Sequence, residues 1–541
     1  MKLKYHIIAL AAMTLGLGSC VNDLNTVPLD PDVTTSETVY GTPESYLQGL
    51  AKIYGAFVTQ GQDGGNSTEV DGVDGGLSVF SRGVWNCQEL PADHCVVAWK
   101  DDNCNAEMNF MTWTSIENAN IKATYYRILF TVTLANEYLK QTSDSKLDAR
   151  GTDSDLRADI AVYRAETRAL RALAWSYGLD IFGNLPFVTE DDPIGVFFPE
   201  QATRTELFEY IESELKEIEE LLPAPKSAAY GHLDQGLVWG LLSRLYLNAE
   251  VYTGTARYSD ACTWSEKLIS SGAYGLSPVY AELFMGDNTQ NADAFQEIIH
   301  YGQSDVNYIQ NYGGTTYMVC ASRAAGEDVN QPSGAGTDAW GGIRAQPALV
   351  ELFENNEEIG DDGYIASPDS RCMIYTTGRT KENTDVWTFA DGYSVFKWKA
   401  MKTDGVYVEG TFSDTDWIFL RLGEIYLNYA EAAVRGGGDT GKALTYVNLL
   451  RTRAYGSTDG NIASSDLTLD YILDERGREL HWEGFRRTDL IRYGKFTTGA
   501  YLWPWKGGVD LGTGVGDYYT LYPIPSTDMA ANPNLTQNDG Y

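Results

Sequence analysis

Past its first twenty residues, the 541-residue chain has no apolar run of the roughly 20 residues that a helix needs to cross a bilayer. Histidine is scarce, with five copies at His6, His94, His232, His300 and His481, and they are scattered. No HExxH, P-loop or GxSxG element occurs, so zinc peptidase, nucleotide and serine-hydrolase chemistry has no marker. Cations are outnumbered: Lys+Arg 40 stands against Asp+Glu 75, a formal net charge of -35. A surface of that sign repels phosphate backbones, so nucleic acid is not an expected partner. Apart from Cys20, six cysteines remain, at Cys87, Cys95, Cys104, Cys262, Cys320 and Cys372. None forms a compact CxxC pair, so no metal site and no cofactor is expected. An exported compartment would permit disulfides among them, and the sequence does not choose the pairing.

Aromatics, by contrast, are plentiful: Tyr 35, Phe 18 and Trp 13. The first residues, MKLKYHIIALAAMTLGLGSC, put Lys2 and Lys4 before a short apolar segment and small residues before Cys20. That order reads as a lipoprotein signal over residues 1–19 with Cys20 as the lipidated residue. Residues 20–35 are polar, contain prolines and show no helical period, which suits a tether.

A helix is expected to start near Thr42-Pro43-Glu44, followed by a Gly-, Asp- and Ser-rich loop from Gln60 to Leu77. Apolar residues then recur at three and four in YYRILFTVTLANEYLK and YRAETRALRALAWSYGLDIF, the second stopped by Gly183 and Pro186. Another helix opens at Thr205-Glu206 and ends before Pro223. A helical hairpin follows, one arm through Leu247 and the other from Tyr258 to Ile269. Its small and aromatic residues are placed as in tetratricopeptide units. RLGEIYLNYAEAAV, GGGDT and GKALTYVNLLRTRA repeat that shape. Residues 300–345 have no clean period and read as a second long loop region, and the chain from Ala500 onward reads as mostly irregular.

Several stretches together resemble the SusD/RagB family of outer-membrane lipoproteins. They are the lipobox at Cys20, AETRALRALAWSYGLDIFGNLPFV, the hairpin ending SGAYGL, FLRLGEIYLNYAEAAV, VNLLRTRA, DERGRELHWEGFRRTDLIRYGKF and the terminal LYPIPSTDMAANPNLTQNDGY. The resemblance implies a mostly α fold, with tetratricopeptide-like helix pairs packed against an irregular, loop-rich ligand-binding portion. Residues 36–541 then form a single domain: an N-terminal part to 230, the central hairpin over 231–299 and a C-terminal part from 300. It implies a lipid-anchored protein of the outer membrane, facing the cell exterior. It also implies a non-catalytic role, capturing a glycan for a SusC-like TonB-dependent transporter, with peptide cargo in some relatives. In this family the Arg-rich element is a structural signature. Glu475, Glu479 and Glu483 recur every fourth residue, as on one helical stripe, with Arg476, Arg478, Arg486 and Arg487 beside it to make bidentate pairs.

Sugars offer flat C–H faces and rings of hydroxyls, which aromatic platforms and Asp, Asn or Arg side chains can meet. The family's ligand regions fall on residues 61–113 and 300–345. The first offers Trp85, Trp99, Asn86 and Asp74, with Asp93 and Asp101 nearby. The second offers Tyr312, Tyr317, Trp340 and Arg344. Each aromatic could instead be core. Asp71-Gly72-Val73-Asp74-Gly75 lacks EF-hand spacing and reads as a turn ahead of a calcium loop. Three other readings stay open: a glycoside hydrolase, which needs two carboxylates roughly 5–10 Å apart, a peptide-capturing protein of the same fold, and a scaffold that binds only protein.

Overall fold

The computed structural model describes residues 39–541 apart from 101–102, 115–117, 194–196, 324–338 and 407–409. Cys20, the signal segment, the tether and Asp101 lie outside the described residues. The described chain divides into two units between Gln48 and Gly49. In the first, the Tyr40 and Tyr46 rings lie 5.3 Å apart near the start of helix α1, Pro43–Gly55.

The second unit is mostly helical. Its main elements in chain order are α2 (Phe80–Glu89), β1 (Cys95–Val97), α3 (Asn103–Phe110), α4 (Ala119–Gln141), α5 (Ser154–Ile181), α6 (Arg204–Ile218), α7 (Gln235–Leu247) and α8 (Tyr258–Ser270). There follow β2 (Ile298–Gly302), α9 (Gly314–Ser322), β3 (Ile343–Ala345), β4 (Trp417–Arg421), α10 (Leu422–Ala432), α11 (Thr440–Tyr455), α12 (Leu469–Leu480) and α13 (Arg486–Arg492). Polar caps set the starts. Asn118 accepts from the N–H groups of Asn120 and Ile121 ahead of α4, and Asp153 does the same ahead of α5. Thr203 and Glu206 make a reciprocal capping box that starts α6. The chain leaves α5 at Gly183, whose φ of 73° suits glycine.

Antiparallel helix pairs carry the scaffold. In the α7–α8 hairpin, small residues let the backbones approach, and the Ser243 and Ser265 hydroxyls meet at 2.8 Å. In the α10–α11 hairpin, the Tyr426 and Tyr446 rings stack at 4.9 Å and 3°. The two hairpins join where Asn428 Nδ2 donates to Ser243 Oγ at 3.3 Å. All six described cysteines are unbridged thiols, and all but Cys104 are buried.

Two sequence expectations change. The region after residue 300 is not one loop, because α9 forms inside it and all nine of its residues are buried. The glutamate stripe is also not one helix. Trp482 takes a φ of 59°, α12 ends at Leu480, and Glu483 lies beyond it. Glu483 still joins the same buried cluster, because the partners come from elsewhere in the chain. Arg421 reaches Glu297, Glu479 and Glu483, Arg371 reaches Asp369, Glu475 and Glu479, and Lys397 meets Glu483. Of the neighbouring arginines, Arg478 pairs with Glu475 at 2.8 Å. Arg476 turns to Asp489, Arg486 grips Asp93 through two bonds of 2.7 and 2.8 Å, and Arg487 meets Asp180. With Arg492 on Glu431 and Arg453 on Glu479, the cluster ties the end of the chain to α5, α10, α11, β4 and the segment between α2 and β1. Burial works against ionising Glu479, yet Arg453, Arg421 and Arg371 outweigh it and hold its carboxyl well below the usual range.

Candidate functional site

β1 and β3 pair antiparallel, with Cys95 opposite Ala345 and Val97 opposite Ile343. Trp99 follows one strand and Trp340 precedes the other, so both leave the same end of this ladder. Ala98 N–H donates to Gly342 O at 2.9 Å and extends the pairing to that end. Gly342 has a φ of 104°, and a Cβ there would lie 2.4 Å from Trp99 Nε1, so the indole rests on bare backbone. Trp340 N–H and Gly341 N–H both donate to Cys320 O in α9, at 2.9 and 3.2 Å.

Gln60 fastens the early loop to this end. Its Oε1 accepts from Tyr312 N–H at 3.1 Å, and its Nε2 donates to Gly65 O at 2.6 Å and Ser67 O at 3.1 Å. Tyr312 sits between two rings, Trp340 at 6.0 Å and Phe412 at 5.1 Å. Gly65 lies so close that a Cβ would come within 2.7 Å of the Phe412 ring and 3.1 Å of the Tyr312 ring. Arg82 Nη1 donates to Tyr312 O at 3.2 Å, and its guanidinium lies 4.2 Å above the Tyr317 ring.

The result is an open cleft of about 320 Å³ whose walls include Thr68, Asp74, Arg82, Tyr312 and Trp340. Tyr312 and Trp340 are half-buried and tilted at 44° to each other. Beside them the Asp74 carboxylate can accept hydrogen bonds, the Arg82 guanidinium can donate them and the Thr68 hydroxyl can do either. A smaller space of about 40 Å³ beside Arg244, Asn428 and Asp489 has room for a few waters and not for a sugar ring.

Of the residues singled out from sequence, Asp74, Tyr312 and Trp340 line this cleft. Trp99 is half-buried outside the cleft's lining, 5.8 Å from the Tyr317 ring. The others are corrected. Trp85 is fully buried in α2, which is buried along its whole length, and its indole donates to Trp482 O at 3.2 Å. Asn86 is spent on Asn120 Oδ1 at 2.7 Å. Tyr317 is buried in α9 beneath Arg82, edge-on to Trp85 at 5.5 Å. Asp93 belongs to Arg486. Arg344 is wholly buried, and its guanidinium donates to the carbonyls of Val386, Thr388, Asp391 and Gly342. Burial pushes its pKa down to about 10, so it remains a cation at neutral pH, serving the backbone. Asp74 Oδ1 accepts from Leu77 N–H at 3.1 Å and shapes the turn. Gln60, Arg82 and Phe412 were missed, although the Gly64-Gly65 and Gly75-Gly76 pairs marked places of close approach.

The architecture defined by these observations is a scaffold of helical hairpins that presents an open aromatic cleft on its loops. The chain belongs to the SusD family. The family model matches residues 373–541. The starch-binding protein SusD of Bacteroides thetaiotaomicron is 38% identical, with 98% of this chain and 97% of that protein aligned. Surface glycan-binding protein A of B. thetaiotaomicron, solved in complex with laminarihexaose, superposes with a TM-score of 0.68 at 22% identity, covering 92% of this chain and 99% of the other. A SusD homolog from the same organism superposes with a TM-score of 0.69 at 18% identity, covering 94% and 98%.

Proposed function

We propose that this protein is a non-catalytic surface lipoprotein that captures a glycan in the Tyr312–Trp340 cleft and delivers it to a SusC-like TonB-dependent transporter. The observation that carries the reading is the cleft itself: two oblique, half-buried rings with Asp74 and Arg82 beside them. Full-length similarity to a starch-binding protein makes an α-glucan the first ligand to try. Cys20 carries the lipid after removal of residues 1–19, residues 20–35 are the tether, and the anchor holds the protein at the outer membrane, facing outward.

The test is affinity electrophoresis in soluble starch and in laminarin, with wild type beside Trp340→Ala and Tyr312→Ala. Retardation by one polymer, lost in both variants at unchanged melting temperature, supports capture in this cleft. Equal retardation of wild type and both variants would remove the cleft from the reading. Binding of peptides in place of any polymer would replace glycan with peptide as the cargo.

A further inference from the structure

A second aromatic cluster stands apart from the cleft. Phe110, at the end of α3, lies between two tryptophans distant in sequence: its ring is 5.6 Å from Trp387 and 5.6 Å from Trp505. All three are half-buried. Each is also held in place. Trp505 takes a φ of 70°, and its indole N–H donates to Asn383 O at 2.6 Å. Trp387 sits in a turn closed by Asp385, which accepts from Trp387 N–H at 3.0 Å and from Thr388 Oγ1 at 2.9 Å. Because Phe110 touches both indoles, the three rings form one contiguous apolar patch partly in water, the kind of surface that marks a binding site.

Chain connections link this cluster to the proposed glycan cleft. α3 begins four residues after Trp99. The loop that carries Trp387 is gripped by Arg344, four residues after Trp340, through the carbonyls on either side of Trp387, those of Val386 and Thr388. One buried guanidinium therefore fixes both the strand next to the cleft and the loop of the second cluster.

We propose that Phe110, Trp387 and Trp505 form a second carbohydrate platform, engaged by the same polysaccharide chain that occupies the Tyr312–Trp340 cleft. The inference rests on the glycan reading of that cleft. Two indoles and a phenyl ring offer C–H-binding faces, while the exposed Asp385 and Thr388 supply acceptor and hydroxyl groups for sugar hydroxyls. A protein partner would also bury apolar surface here. The ordered pair of indoles beside short polar side chains, on a loop tethered to the cleft, favours sugar.

The experiment compares a short and a long ligand on the full-length protein. Maltotriose and laminaritriose report on the cleft alone, and soluble starch and laminarin report on both platforms. Variants are Trp387→Ala, Trp387→Phe, Phe110→Ala and Trp340→Ala, each with its melting temperature. Because two sites on one polymer act as linked sites, Trp387→Ala and Phe110→Ala are expected to weaken polymer binding about tenfold or more. Trisaccharide binding stays at the wild-type value, and Trp387→Phe keeps most of the polymer affinity. Polymer binding unchanged in Trp387→Ala and Phe110→Ala, while Trp340→Ala loses both ligands, overturns the second platform and leaves the cleft standing. Loss of transporter association in Trp387→Ala at unchanged polymer affinity overturns it in favour of a protein contact. A Trp340→Ala variant that binds like wild type removes the first site, and this proposal with it.

Discussion

Arg421 Nη1 lies 2.6 Å from Glu479 Oε1, and neither side chain is more than 1% exposed. Glu479 is shared, since Arg371 and Arg453 also bond to it. Against a well-packed apolar core such pairs add little net stability, but removing one partner leaves the others charged and buried. Glu479→Gln is therefore expected to lower unfolding stability by about 3–5 kcal/mol in urea melts. Glycan affinity of the folded fraction should not change. A selective loss of binding at full stability would recast the cluster as a ligand site.

Glu89 gives a pH-dependent signature. Burial raises its pKa from the ordinary 4.5 to about 7, with the N–H groups of Phe485 and Gly484 offsetting part of the effect. Because the folded value lies above the unfolded one, its contribution to stability is full below about 4.5 and is lost as pH rises through about 7. Glu89→Gln keeps an acceptor for both N–H groups and cannot ionise. Relative to wild type it should gain stability, by up to about 3 kcal/mol, between pH 5 and pH 8. Paired thermal melts at those two pH values, showing no change in the difference, would refute the shift.

Gly342 is the floor under Trp99. Gly342→Ala adds a Cβ at a positive φ and drives it into the indole, at a cost of about 1–3 kcal/mol. The melting temperature should fall, and the emission of the displaced tryptophan should shift to the red. An unshifted spectrum with wild-type stability would mean that the indole does not rest on this glycine.

Trp85 and Trp340 should separate cleanly. Trp85→Ala empties a core site and should cost about 3–5 kcal/mol while sparing the glycan affinity of folded protein. Trp340→Ala should do the reverse, with melting temperature near wild type and affinity lost. Calorimetry and affinity electrophoresis on the same preparations decide between the two assignments.

Much of the helical framework was legible because apolar spacing and caps are local signals. α4, α5, the α7–α8 hairpin and the α10–α11 hairpin fall where periodicity put them, and α6 starts at its capping box one residue ahead of expectation. The cleft was legible only in part. Trp340 and Tyr312 stood out by residue type, but so did Trp85, whose fate depends on Trp482 nearly four hundred positions later. Arg344 looked like a ligand for hydroxyls because nothing near it in sequence shows the carbonyls of residues 386–391 that it serves. Gln60 escaped notice for the same reason, since its role depends on Tyr312, far along the chain.

The buried charge cluster also has a direction along the chain. Arg371, Lys397, Arg421, Arg451 and Arg453 all leave the ribosome before Glu475, Glu479 and Glu483 do. Before those three carboxylates arrive, Arg371 has Asp369, and Arg421 and Arg453 share Glu297, while Lys397 still waits for Glu483. The last stretch of the chain thus completes a charge balance that the earlier segments only begin.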